Sequence, residues 1–140
     1  FGRNGSSGGA AVWSFKASGM YQLPAGFSLA GFILYRQGYI DSQDVLTANR
    51  PNGVGRATVI VDPEFGATKL PSYINVDMRL EKTFDIGKRG RIHLIADAFN
   101  VFNKGNILGR INQQNSSLYP RIREVTQGRT IRLGLRLVLR

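Results

Sequence analysis

A chain of 140 residues with no cysteine, one histidine and a formal charge of +10 has the size of one ordinary domain and excludes a disulfide framework or a thiolate metal site. It holds no run of about 18 apolar residues, which excludes a transmembrane helix. Membrane-spanning strands stay open, because half the residues of such a strand are polar. The basic stretches Lys88-Arg89-Gly90-Arg91 and Arg121-Ile122-Arg123 lack a groove-fitting helix or a ribonucleoprotein motif, so no nucleic-acid partner is expected.

Residues 1–9 lack a starting methionine and a signal-peptide pattern, and their glycines and serines read as the tail of a flexible loop. The chain is therefore expected to be a fragment. A first long strand is predicted over about 11–23, with Trp13, Phe15, Ala17, Gly19, Tyr21 and Leu23 on one face and Ser14, Lys16, Ser18, Met20 and Gln22 on the other. Pro24-Ala25-Gly26 marks a tight reversal, and a second strand returns over about 27–40 with a less polar second face.

Residues 41–72 read as a long loop in which Ala57 to Val61 is a candidate short strand. A connection of this length inside a compact domain is expected to be functional or to argue against the assignment. A third strand over 74–86 alternates cleanly: Ile74, Val76, Met78, Leu80 and Phe84 oppose Asn75, Asp77, Arg79, Glu81 and Thr83. Lys82 breaks the pattern near a strand end, where a long side chain can snorkel.

Gly87 to Gly90 supplies a short turn, and a fourth strand over 91–103 is predicted to set His93, Ile95, Asp97 and Phe99 against Ile92, Leu94, Ala96 and Ala98. A second long loop, 104–128, precedes the last strand at 129–140. There Ile131, Leu133, Leu135, Leu137 and Leu139 alternate with Thr130, Arg132, Gly134, Arg136, Val138 and Arg140. The arginines require water, since one facing lipid at mid-bilayer costs roughly 2–4 kcal/mol. The leucines require an apolar neighbour.

Strands of soluble domains average about 5–6 residues, whereas a tilted bilayer-spanning strand needs about 9–11. Long strands joined alternately by short turns and long loops follow the outer-membrane rule of short periplasmic turns and long external loops. Tyr21, Phe27 and Phe84 then fall near the inner interface and Trp13, Phe15, Tyr35 and Tyr39 near the outer one. The expected fold is all-β, an antiparallel meander of five transmembrane strands. Ile74, Val76, Met78, Leu80, Ile131, Leu133, Leu135 and Leu137 would face lipid. Asp77, Arg79, Glu81, Asp97, Arg132 and Arg136 would form a lumenal charged row, chiefly as structural support. Five strands cannot close a barrel, so the remainder must lie elsewhere in the parent chain or in other copies.

No catalytic, cofactor or metal site is expected. His93 reads as a lumenal hydrogen-bonding residue without a nucleophile beside it. Asp41 with Asp44, and Asp62 with Glu64, lack calcium-loop spacing, Gly53-Val54-Gly55-Arg56 lacks the trailing lysine of a phosphate loop, and Asn115-Ser116-Ser117 matches a glycosylation sequon of the kind common by chance.

Leu70-Pro71-Ser72-Tyr73, Val76-Asp77-Met78-Arg79-Leu80-Glu81-Lys82-Thr83-Phe84, Phe99-Asn100-Val101-Phe102-Asn103, Pro120-Arg121 and Arg132-Leu133-Gly134-Leu135-Arg136 occur in that order. In this order and spacing the chain resembles the TonB-dependent outer-membrane receptors, most of all their Oar-like, carboxypeptidase-regulatory-like branch, over Leu70 to Arg140. The resemblance implies that this is the carboxyl-terminal segment of a 22-stranded barrel. It further implies an amino-terminal plug absent from this sequence, uptake of a scarce large nutrient, energy drawn through TonB by way of that plug, and residence in the bacterial outer membrane. Family members usually end in an aromatic residue; the ending Leu137-Val138-Leu139-Arg140 departs from this and leads us to expect truncation. Two other readings are a cell-surface β-sandwich used for adhesion and a subunit of a shared oligomeric barrel. The ligand is not readable from the sequence.

Overall fold

The computed structural model describes residues 11–49, 51–53, 55–62, 64 and 66–139. Nine strands occur among the described residues: β1 Ser14–Leu23, β2 Phe27–Arg36, β3 Asp44–Leu46, β4 Thr58–Ile60, β5 Tyr73–Asp85, β6 Gly90–Phe99, β7 Ile107–Arg110, β8 Ile122–Val125 and β9 Thr130–Leu139. The long strands form one antiparallel five-stranded sheet in the order β1-β2-β5-β6-β9. The short ones form two hairpins, β3–β4 and β7–β8. The fold is all-β, and the sheet is open: β1 and β9 each have one edge without a partner strand among the described residues.

The chain divides into two compact units. The sheet unit comprises Phe15–Tyr35, Ile74–Gly105 and the chain from Gln127 onward; the loop unit comprises Arg36–Tyr73 and Asn106–Thr126 with residues 11–14. In the sheet, β5 pairs with β6 from Met78↔Ala98 to Asp85↔Arg91, and β6 with β9 from Gly90↔Leu139 to Phe99↔Thr130. Residues directly opposite share a face. The register therefore puts Met78, Leu80, Phe84, Ile92, Leu94, Ile131, Leu133, Leu135 and Leu137 on one face, and Arg79, Glu81, Asp97, His93, Arg132 and Arg136 on the other.

Among the described residues nothing is packed over the apolar face of β9. Ile131, Leu133 and Leu135 are 68, 79 and 71% exposed, and Leu70, in the loop unit, is the single buried apolar side chain among the described residues. Ile74 and Val76, on the Met78 face by parity, are half-buried. Lys82, the one charge on the apolar face of β5, reaches the β1–β2 turn, where Nζ donates to the Ala25 carbonyl and lies 4.2 Å from the Phe27 ring centre. The side chain thus carries its charge to the strand end, as snorkelling requires.

Three predicted strand ends are corrected: β1 begins at Ser14 rather than at about residue 11, and β2 and β6 stop early. β2 stops at Arg36 rather than continuing to residue 40, because the chain crosses to Leu70: the Leu70 amide donates to the Tyr39 carbonyl at 2.8 Å, and Ile40 bridges Lys69. Gly38 is required there, since a Cβ on it would stand 1.8 Å from the Leu70 carbonyl oxygen. β6 stops at Phe99 rather than at 103 because Asn100 and Asn103 adopt left-handed backbone angles, φ 51° and 52°, a region that asparagine tolerates better than bulkier residues.

Buried Asn100 then organises the turn. Its Nδ2 donates to the carbonyls of Lys104 (3.1 Å) and Gln127 (2.9 Å), and its Oδ1 accepts from the Lys104 amide (3.0 Å). Asn103 Oδ1 accepts from the Arg129 amide at 2.8 Å, so the two asparagines tie the end of β6 to the start of β9.

Asn100→Gly keeps the left-handed angle and loses the side-chain bonds, whereas Asn100→Ala loses both. We expect a loss of about 1–3 kcal/mol from the stranded polar groups, with alanine worse than glycine by roughly a further 1 kcal/mol. Denaturant titration of the two variants and the parent measures it; equal stability of both with the parent would contradict this role for Asn100.

Candidate functional site

The charged face of the sheet draws its residues from β5, β6 and β9, where period-two alternation sends every second side chain to one side. Arg79, Asp97 and Arg132 stand in one cross-strand row. Arg79 Nε donates to Asp97 Oδ1 at 2.6 Å, while Arg132 Nε and Nη2 donate to Oδ2 at 2.9 and 2.7 Å. One buried carboxylate thus holds two guanidinium groups that remain half-exposed. Charge-assisted forks of this kind fix geometry as well as adding energy. The Arg132 guanidinium also lies 5.4 Å from the Phe99 ring centre.

A second cluster sits nearer the short turn. Arg136 Nη2 donates to Glu81 Oε1 at 3.1 Å, and His93 Nδ1 lies 2.8 Å from the same oxygen and 3.1 Å from Thr83 Oγ1. A carboxylate only accepts, so the Nδ1 atom carries the proton in this contact. Arg91 and Asp85 form a further pair at 2.7 Å that the alternation pattern does not single out, although Asp85 and Arg91 flank the turn symmetrically.

Of the predicted charged row, Arg79, Glu81, Asp97, Arg132 and Arg136 are brought together. Asp77 is not: its Oδ1 accepts from the Asn100 amide and from Asn75 Nδ2, both at 2.9 Å. It has the right parity but lies where β6 ends, and the turn there needs an acceptor. Arg140 lies outside the described residues. A cavity of about 310 Å³ opens over this face, lined by Phe32, Asp77, Arg79, Asp97, Phe99 and Arg132 among others. Its arginines are committed to Asp97, so the cluster holds strands in register and offers little free charge to a ligand.

The loop unit is more ordered than a reading as two loops implies. Thr58–Ile60 forms within the candidate 57–61 segment, but it pairs with Asp44–Leu46, and Ile107–Arg110 pairs with Ile122–Val125. The segments 41–72 and 104–128 are stitched together. The Asp44 amide donates to the Asn112 carbonyl (3.1 Å), the Gln114 amide to the Asp44 carbonyl (2.8 Å), and Asn115 exchanges side-chain bonds with both backbone groups of Leu46 (3.2 and 2.7 Å). Asn115 of the sequon is thus engaged in a loop-to-loop contact. No group of three His, Asp or Glu side chains suited to a metal occurs among the described residues.

Asp41 is buried beneath this layer. Burial raises its carboxyl above the ordinary range, Arg110 opposes the shift and Asp62 adds to it. The folded unit therefore holds the Asp41 proton more tightly than the unfolded chain does. The stability this contributes is full below the ordinary carboxylate pKa and is lost as pH rises through the raised value. Asp41→Asn removes that loss: amide exchange at Asp44 and Gln114 is expected to slow relative to the parent at neutral pH, with the difference shrinking in acid. A ratio of exchange rates that is constant with pH would contradict it.

Comparison of the chain with protein-family profiles, characterised proteins and solved structures found no match.

Proposed function

We propose that the chain forms the last five strands of the barrel wall of a TonB-dependent outer-membrane receptor, a transporter for a scarce large nutrient. One observation carries this reading. In a sheet of five strands of 10 to 13 residues, β5, β6 and β9 present an apolar face with nothing over it among the described residues, while on the opposite face Asp97 pairs with Arg79 and Arg132, and Glu81 with Arg136. The lengths suit a tilted crossing of the hydrocarbon layer, which needs about 9–11 residues. In water each uncovered leucine would forgo roughly 1.5–3 kcal/mol relative to burial, and a sandwich needs a second sheet against that face. In lipid the same row is solvated, and the ion-paired row lines the aqueous lumen.

The open edges of β1 and β9 support a larger wall, since unpaired strand edges are not tolerated in hydrocarbon. Arg36, stacked 3.9 Å from the Tyr39 ring centre and 4.6 Å from that of Tyr73, belongs with Trp13 and Tyr35 to an aromatic belt at the outer interface. The order of the motifs from Leu70 to Arg136 supports the TonB-dependent class in particular, with a plug and TonB as partners and the loop unit on the cell exterior.

Expression of the full parent gene followed by membrane fractionation tests the reading. The product should sediment with the outer membrane, and Leu135→Arg should lower the stability of the protein folded into lipid vesicles by roughly 2–4 kcal/mol. Recovery of the parent protein in the soluble cytoplasm, or a Leu135→Arg variant as stable as the parent in vesicles, would overturn it.

A further inference from the structure

The loop unit holds a polar cavity of about 300 Å³ lined by Asp44, Thr58, Arg110, Asn112, Gln113 and Arg123, with Ile111 as its apolar contact. Three features mark it as built. The first is the irregular β7–β8 hairpin, whose register shifts twice: Leu108 is the extra residue between the Ile107–Val125 and Gly109–Glu124 pairs, and Arg123 the extra residue between Gly109–Glu124 and Arg110–Ile122. Bulges re-aim a side chain, and the second gives Arg123 a place beside Arg110 in the cavity lining.

The second is rigidity. Asp44 is clamped by backbone bonds to Asn112 and Gln114, and Asn112 Nδ2 donates to the Ser42 carbonyl at 3.0 Å, which fixes its amide. The third is charge. Neither Arg110 nor Arg123 forms an ion pair among the described residues, although Arg110 also acts on buried Asp41. Two guanidinium groups without an ion pair at one cavity favour an anion there.

The lining has two guanidinium groups against one carboxylate, that of Asp44. We infer that this cavity is a binding subsite for a small hydroxylated acid, a carboxylate or phosphate held by Arg110 and Arg123 with a neighbouring hydroxyl donating to Asp44. Planar guanidinium groups suit either anion through paired hydrogen bonds. The inference rests on the receptor reading, which sets the loop unit outside the cell where an acidic sugar of the nutrient would be met first.

The test uses the full-length parent protein in detergent, titrated calorimetrically with galacturonate, glucose 6-phosphate and glucose. At least one of the two acids should bind and glucose should not; which acid binds separates a carboxylate source from a phosphate one. Arg123→Gln should weaken binding roughly tenfold to a hundredfold, as loss of a charged hydrogen bond predicts, and Arg123→Lys should restore part of it. The Arg123 variants also guard against misfolding, since Arg123 is a bulge residue and Arg110 neighbours buried Asp41. Failure of both acids to bind, equal binding of glucose, or an Arg123→Gln affinity equal to the parent's would overturn the subsite. Outer-membrane recovery of that same non-binding protein would leave the receptor reading standing, whereas a soluble protein would remove the reading itself.

Discussion

Everything in the sheet follows from the incompatibility of its two faces. Asp97 draws Arg79 and Arg132 onto one side of β5, β6 and β9, and strict alternation then forces Leu80, Ala96 and Leu133 onto the other. A one-residue slip of β9 would bring arginines to the leucine side and leave Asp97 without Arg132. The ion pairs therefore do more for register than for raw stability, since the arginines remain half-exposed and pairs of that kind contribute little alone.

That division also explains why the chain has so small a core. Among the described residues Leu70 alone is a buried large apolar side chain. The stabilisation that a core would supply must come from whatever solvates the apolar face. Backbone groups where strands begin and end are satisfied by the Asn100 and Asn103 turn, the Lys82 contact with the β1–β2 turn, and the loop-to-loop bonds around Asp44.

The long strands are readable because alternation over ten residues is a strong signal, and β5 and β9 match it to within one residue at each described end. Alternation overextends β6 because Phe99 and Phe102 look like strand residues, and only the left-handed geometry of Asn100 and Asn103 shows where pairing ends. β3, β7 and β8 escape a sequence reading, being three or four residues long, too short for any period to register. The charged row follows from parity except at Asp77, whose partner is a turn amide that parity cannot foresee. Arg110, Asn112 and Arg123 carry no sequence signal, because a bulge and a contact across about seventy residues are tertiary facts.

The most direct test of the two-solvent assignment is a spin-label scan along β9, one cysteine at a time from 131 to 138, in the full-length protein reconstituted in lipid vesicles. Oxygen accessibility should peak at 131, 133, 135 and 137 and a water-soluble nickel reagent at 132, 134 and 136, out of phase by one residue. Nickel accessibility at the leucine positions, or loss of the period of two, would contradict a lipid-facing leucine row.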